Sequence, residues 1–406
     1  MQADLIIVGA GMVGSTLGLA LQESGLRIKL IDAGPLETTA FTAGDPFEPR
    51  VSALSVASQR ILQRLDAWTG IVERRASPYT DMRVWDGSGT GNIHFSAASV
   101  HAEVLGHIVE NRVVQDALLD ALQASGSVEL VPDARLEQLH QVDAEWRLTL
   151  SDGQQLTTGL VVAADGANSA VRRLAGCKTR EWDYLHHAIV TSVRCAEPHQ
   201  RTAWQRFTDD GPLAFLPLQR DGNDHWCSIV WSVTELEAKR LMTLDNDGFC
   251  QALGRAFEYR LGAVLEADQR LCVPLRQRHA KRYVQPGLAL IGDAAHTIHP
   301  LAGQGVNLGL LDAAVLADVL AEAHARGAQL GDPRMLARYE RRRMGHNLAM
   351  MAAMEGFERL FQADSLPLRW LRNAGLKGVQ AMPEAKALFV RQALGLSGDL
   401  PALARV

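Results

Sequence analysis

Cysteine is scarce and scattered: Cys177, Cys195, Cys227, Cys250 and Cys272 are the five in 406 residues, with no C-x-x-C pair. That spacing supports neither a redox dithiol nor a zinc site, and reduced thiols of a cytosolic protein are the simplest reading. No apolar run reaches the roughly 18 residues a membrane span needs. The chain enters its first apolar run almost at once, which predicts no secretory signal. Neither sign of charge dominates: 41 basic against 46 acidic residues leave a net charge of −5, which argues against a nucleic-acid binder. Repeats and low-complexity tracts are absent. What remains is the composition of an ordinary globular protein, 47% hydrophobic, long enough for two or three domains and a large core.

The most informative stretch is residues 3–32. Asp4-Leu5-Ile6-Ile7-Val8 is a β-branched apolar run that predicts a buried parallel strand. Gly9-Ala10-Gly11-Met12-Val13-Gly14 follows, then a helix marked by Leu17 and Leu21 and stopped at Gly25. Ile28-Lys29-Leu30-Ile31 predicts a second strand ending on Asp32. Strand, G-x-G-x-x-G, helix, strand and acid, in that order, predict a dinucleotide site. The glycines allow a tight turn and close approach to a pyrophosphate, and the helix N-terminus offers it free N–H groups. Asp32 is placed to accept from a ribose.

Further along, a loop is expected over residues 37–49, then a helix to about Leu65. Met82 to Phe95 predicts strands around an Asp86-Gly87 turn, and Val113 to Leu122 a helix. Residues 146–157 predict a hairpin around Ser151-Asp152-Gly153. Gly159 to Ala164 predicts a buried strand closed by Asp165-Gly166. From Arg180 to Val233, short alternating runs between Gly, Asp and Pro turns predict an antiparallel sheet. Leu288 to Ile291 returns to a buried strand, closed by Gly292-Asp293, and Val306 to Ala325 is a long apolar helix. Beyond Gly331 the pattern is helical.

Three strand ends thus carry similar chemistry. Gly9-x-Gly11-x-x-Gly14, Ala164-Asp165-Gly166 continuing to Arg172, and Gly292-Asp293-Ala294-Ala295-His296 continuing through Pro300, Gly303-Gln304-Gly305 to Asn307 resemble the single-component flavoprotein aromatic hydroxylases. A narrower resemblance lies in Arg50-Val51-Ser52-Ala53-Leu54-Ser55, His107-Ile108-Val109-Glu110-Asn111, Glu181-Trp182-Asp183-Tyr184, Gly211 to Leu218 and His299 to Gly309. These are similar to the ubiquinone-biosynthesis hydroxylases, bacterial enzymes that hydroxylate a polyprenylated phenol or benzoquinol. One departure is Asp32, where that family usually has Glu; a carboxylate is retained.

The resemblance implies an α/β fold: a Rossmann-like FAD-binding domain with an inserted antiparallel-sheet substrate domain and a helical C-terminal region. The expected division is 1–175 and 276–330 for the FAD-binding domain, 176–275 for the sheet and 331–406 for the helical region. FAD is the implied cofactor, with NAD(P)H as transient reductant and O2 as co-substrate. No second G-x-G-x-x-G is present for NAD(P)H. Reduced flavin activates O2, and a hydroxyl is transferred to an activated ring.

On that resemblance Gly9, Gly11 and Gly14 take the FAD pyrophosphate, Asp32 the adenosine ribose, and Asp293, beside Gly292, a ribityl hydroxyl; Asp293 equally suits a helix N-cap. Asp165 and Gly166 help to hold FAD. Arg172 either shares that task or is a structural partner. Arg50 and Arg112 lie near the flavin or its phosphates, and a solvated role suits Arg112 as well. Gly303, Gln304, Gly305 and Val306 bring backbone N–H groups to the N1–C2=O edge of the ring, where the helix dipole favours negative charge. Asn307 bonds the ring by backbone or side chain, and the Pro300 carbonyl faces the reacting oxygen. His187 and His299 are candidates for a base. Leu213, Phe215 and Pro217 are expected to line the substrate pocket.

The implied partners are a prenylated aromatic substrate, other ubiquinone-biosynthesis proteins, a second copy of the chain and no nucleic acid. Arg369, Arg372, Lys377, Lys386 and Arg391, interleaved with apolar residues, suit either a membrane-surface element or a helix pair packed on the core with a solvated basic face. The expected location is cytoplasmic, with a peripheral place on the inner face of the inner membrane. Rival readings are a hydroxylase of another aromatic compound, a flavin halogenase, whose W-x-W-x-I-P stretch Trp226 to Trp231 does not match, and a non-catalytic flavoprotein subunit.

Overall fold

The computed structural model describes residues 2–42, 44–87, 89–298, 305–362, 373, 378, 380 and 382–405. The catalytic candidates Pro300, Gly303 and Gln304, the base candidate His299 and the tail residues Leu366 to Arg372, Leu376 and Lys377 lie outside the described residues.

Among the described residues, a six-stranded sheet runs in the order Val284–Gln285, Leu288–Leu290, Val161–Ala163, Leu5–Val8, Ile28–Ile31, Val128–Val131. All neighbours except the first pair are parallel. The four strands read from buried apolar runs, at 5–8, 28–31, 161–163 and 288–290, are the four inner ones. Leu5, Ile6, Ile7, Val161, Val162 and Leu288 are fully buried, as strands covered on both faces require. The helices Met12–Ala20 and Gly305–Ala325 pack on one another beside this sheet. Their approach depends on Gly309: a Cβ there would stand 2.6 Å from Val13 Cγ2.

A nine-stranded sheet forms the second body, with Leu271–Ala280, Thr179–Cys195, Asn223–Thr234, Gly211–Arg220 and Thr202–Thr208 adjacent in that order. It extends beyond the expected insertion. Asp81–Asp86 pairs in parallel with Thr202–Thr208, and Asn92–Ser96 pairs with Asp81–Asp86. Strands 81–96 therefore belong to this sheet, although they precede it in sequence by about a hundred residues. Alternation along a strand announces the strand and leaves its partner open.

The two faces of this sheet differ. Ile189, Val193, Leu213, Phe215, Cys227, Ile229 and Trp231 pack with Phe249, Leu253 and Phe257 from the helix Asn246–Ala256 and its C-terminal end. Leu216, Leu218 and Trp226 face the other way, packing with Phe47, Val51, Ala53 and Ile108. This corrects the expected substrate pocket. Leu213 and Phe215 lie in the helix-covered core, Phe215 stacked on Phe257 with ring centroids 3.6 Å apart. Pro217 stands opposite Cys227, on that same face. Successive side chains alternate between faces, so a reading one residue out selects the wrong set. Ala214, Leu216 and Leu218 are the residues turned toward the half that carries the parallel sheet. His187 also falls on the helix side: it stands opposite Val233, which is buried in the helix-covered core. That position removes His187 as a base for a ring on the opposite face.

Candidate functional site

The strands ending at Val8, Ala163 and Leu290 are neighbours in register, Val161 opposite both Ile6 and Leu288. Their carboxyl ends therefore release the three glycine-and-acid loops side by side. Gly9 has φ +102°, and a Cβ on it would lie 2.5 Å from the Ala164 carbonyl oxygen. A Cβ on Gly14 would lie 1.9 Å from the Gly9 carbonyl oxygen. Gly11 differs, since a Cβ there meets nothing within 4 Å among the described residues. Two glycines are thus demanded by the protein's own backbone, and the third faces open space. Gly11 is also the N-cap of the helix Met12–Ala20 and supplies no side-chain cap. The first-turn N–H groups stay available to an anion. Asp32 accepts the Ala10 N–H at 2.7 Å and the Gly34 N–H at 2.9 Å, tying the glycine turn to the end of the second strand.

The second and third loops are joined by Arg172. Its guanidinium is buried and donates to the carbonyls of Ala294 at 2.8 Å and Ala167 at 2.6 Å. Burial pushes its pKa down. Of the two roles expected for Arg172, this geometry gives the structural one, with carbonyls in place of an ion pair. Asp165 uses one oxygen to cap Val171 N–H at 3.1 Å, while its other oxygen, buried, has no hydrogen-bond partner.

Asp293 is an exposed residue at the end of the third strand, yet crowded enough by protein to raise its pKa. The positive fields of His296, Arg50 and Arg172 oppose that rise. Arg50, distant in sequence, is therefore close enough to act on the charge of Asp293. Gly292 takes φ +57°, and the space a Cβ would occupy is closed by Val13 at 3.1 Å. Gly305 opens the helix Gly305–Ala325, where, among the described residues, a Cβ would meet only Ile298 at 3.8 Å; Val306 packs on the main core.

Asn307 is committed elsewhere by its side chain. Its Oδ1 accepts Ser55 N–H at 2.9 Å and Ser58 Oγ–H at 2.7 Å, and its Nδ2 donates to the Ala53 carbonyl at 2.8 Å. This clamp fixes the start of the long helix against the strand Val51–Leu54 and takes up the Asn307 side chain, one of the two groups expected to bond the ring. Arg112 is half exposed and pairs with Glu48 at 3.3 Å and Asp116 at 3.7 Å. Neither contact directs it to the Asp293 crevice, and the solvated alternative describes it better.

Sequence reasoning missed the support behind Asp293. Asp312, fully buried in the long apolar helix, accepts from Gly292 N–H at 3.1 Å, His296 Nε2 at 2.5 Å, Arg343 Nε at 2.6 Å and Asn347 Nδ2 at 3.1 Å. Its contacts with His296 and Arg343 hold its carboxyl well below the usual range against the cost of burial. An aspartate amid Leu310, Leu311, Ala313 and Ala314 was the available signal, because a lone buried charge must find partners. Arg343 and Asn347, from the helix Pro333–Gln362, left no such mark.

A crevice at the carboxyl edge of a doubly covered parallel sheet, with an antiparallel sheet opposite, is the architecture of the flavin-dependent monooxygenases. Two solved structures share it: PqsL of Pseudomonas aeruginosa, at TM-score 0.76 and 24% identity over 93% of this chain and 100% of that one, and p-nitrophenol 4-monooxygenase PnpA of Pseudomonas putida, at 0.74 and 18% over 97% and 98%. At such identities the likeness concerns the fold alone. The family profile described as "FAD binding domain" matches residues 2–354. Among curated relatives, 3-demethoxyubiquinol 3-hydroxylase of Escherichia coli is 39% identical over 97% of this chain and 98% of its own. Ubiquinone hydroxylase UbiL of Rhodospirillum rubrum is 38% identical over 97% and 90%, and the human mitochondrial ubiquinone biosynthesis monooxygenase COQ6 33% over 94% and 90%. The chain belongs to the FAD-binding-domain family and, within it, to the ubiquinone-biosynthesis hydroxylases.

Proposed function

We propose that this chain is an FAD- and NAD(P)H-dependent monooxygenase that hydroxylates the aromatic ring of a polyprenylated phenol or benzoquinol in ubiquinone biosynthesis. The observation that carries the reading is the meeting of three loops, at Gly9–Gly14, Asp165–Gly166 and Gly292–Asp293, on adjacent strand ends, in a chain matched along nearly its whole length by hydroxylases of that pathway. The residues fit FAD: an uncapped helix N-terminus, an open Cβ position at Gly11, a buried Asp165 oxygen without a partner, and an Asp293 carboxylate that accepts from no described residue.

When bound, FAD accepts a hydride from NAD(P)H and activates O2, one oxygen atom going to the ring and the other leaving as water. The chain's part is binding and electrostatics. The backbone at Gly11 and the helix behind it hold the pyrophosphate, and Asp32 accepts from the adenosine ribose. Asp293 accepts from a ribityl hydroxyl, which replaces the solvent now facing it. The N–H groups of Gly305 and Val306 and the dipole of their helix stabilise negative charge at the N1–C2=O edge. Arg50 adds positive potential to the same space, and the Leu216 face of the sheet excludes water from the ring. Division of the chain into an FAD-binding part and a substrate-facing sheet belongs to this proposal, with residues 81–96 assigned to the sheet.

Purified protein should be yellow, release FAD on denaturation, and oxidise NAD(P)H faster when a prenylated phenol is added. Protein that neither carries flavin nor can be reconstituted with it overturns the reading. The ring position is read from the quinone intermediate that accumulates in a deletion strain.

Among the described residues no helix is long and apolar enough to cross a membrane. We also propose a peripheral membrane contact through the C-terminal region. The helix Pro383–Ala393 exposes Leu388 and Phe389 next to Met382, alongside the basic Arg391. Cosedimentation with anionic vesicles tests this, and no difference between wild type and Leu388→Glu/Phe389→Glu refutes it.

A further inference from the structure

The face of the antiparallel sheet turned toward the FAD-binding half contains polar groups that the protein itself leaves unsatisfied. Ser192 and Ser228 stand opposite one another on neighbouring strands. They are 1% and 0% exposed, and neither hydroxyl has a hydrogen-bond partner. Beside them the Asp268 N–H donates to the Ser192 carbonyl at 2.8 Å, while one carboxylate oxygen of Asp268 is also buried and unpartnered. Buried polar groups are almost always paired, so three orphans in one place point to a ligand.

Ser192 and Asp268 line a cavity of about 450 Å³ between the sheet and the loop 39–49, with Phe47 as one wall. Its acidic lining disfavours an anion. Arg75 pairs with Glu110 at 2.7 Å, Arg74 with Asp120 at 2.5 Å and Arg112 with Glu48, which leaves the buried Arg74 Nε as the cationic donor without a partner among the described residues. Burial raises the pKa of Asp116 and of Asp268, so added negative charge is unwelcome. The orphans comprise two hydroxyl groups, able to donate, and a carboxylate acceptor, set beside an aromatic wall. Leu216, the cross-strand neighbour of Ser228, continues the row as an apolar floor toward Ala53 and the start of the long helix.

We propose that Ser192, Ser228 and Asp268 seat an uncharged hydroxylated aromatic ring, Asp268 accepting from its phenolic O–H and the two serines donating to its oxygen substituents. This rests on the hydroxylase reading for the class of ring.

The test is equilibrium binding of 2-methoxyphenol to the FAD-loaded protein by calorimetry, with toluene and reduced nicotinamide mononucleotide as comparison ligands. Ser192→Ala/Ser228→Ala removes only unsatisfied hydroxyls, so the variant keeps its fold. Wild type is expected to bind 2-methoxyphenol. The double variant and Asp268→Asn should each weaken that binding at least ten-fold and leave toluene unchanged. No measurable binding to wild type, or unchanged affinity in both variants, overturns the assignment. So does a loss confined to nicotinamide mononucleotide, which gives the seat to the reductant. Flavin absorbance of the same samples reports separately on the hydroxylase reading: protein without FAD refutes that reading, while the phenol titration still decides the seat.

Discussion

Asp312 Oδ2 holds the backbone N–H of Gly292 and the Nε2 of His296 at once, at 3.1 and 2.5 Å. A carboxylate inside one helix thereby sets the conformation of the turn that presents the neighbouring Asp293. Arg343 closes the arrangement from a second helix and neutralises the charge. Asp312→Ala leaves His296 and Arg343 buried beside an empty site, and removal of one member of a buried pair costs about 3–5 kcal/mol. Urea denaturation should show that loss, together with weaker FAD retention. A loss under about 1 kcal/mol, on the scale of a surface ion pair, would falsify the role given to Asp312.

The half-buried His107 and the buried His279 contribute to the response to mild acid. Desolvation lowers both His107 and His279 to about 4, whereas an unfolded histidine titrates near 6.5. As pH falls from about 6.5 toward 4 the unfolded chain takes up protons that the folded chain refuses, so stability declines across that window. The slope is about 1.4 kcal/mol per pH unit for each proton. Denaturation midpoints at pH 7 and pH 5 check this, with a shallower dependence expected for His107→Asn/His279→Asn. A profile flat between 7 and 5 refutes it.

The glycine motif separates fold from cofactor. Gly14→Ala drives a methyl into the Gly9 carbonyl and should destabilise the protein itself. Gly11→Ala meets no atom of the described residues within 4 Å, so the apoprotein should melt within about 1 °C of wild type, the change being a surface-like one. Its FAD affinity should fall at least ten-fold, because the methyl occupies the ground assigned to the pyrophosphate. Normal FAD binding by Gly11→Ala removes that assignment.

The two faces of the sheet make opposite predictions. Phe215→Ala opens a cavity under Phe257 and should cost about 3–5 kcal/mol, with little change in KM for enzyme that remains folded. Leu216→Trp intrudes on the face toward the FAD-binding half, and should raise KM for the prenylated phenol by more than its effect on the denaturation midpoint. Equal KM effects from both substitutions contradict the assignment of faces.

The sequence alone determined the cofactor chemistry and its neighbourhood. Gly9, Gly11, Gly14 and Asp32 are legible because a strand, a tight turn and a helix demand particular residues within thirty positions. Gly292-Asp293 and Asp165-Gly166 are legible as the same kind of strand end. Tertiary structure decided what depends on facing and long-range pairing. It turned Leu216 rather than Leu213, Phe215 or Pro217 toward the FAD-binding half, since a shift of one residue inverts every side chain in a strand. It moved strands 81–96 into the second sheet and His187 behind it. It committed the Asn307 side chain to Ser55, Ser58 and Ala53, and brought Arg343 and Asn347 to Asp312. Local propensity reaches only a few residues along the chain, whereas these contacts are made between segments separated by thirty to two hundred and fifty, where the chain path and not the local pattern chooses the partner.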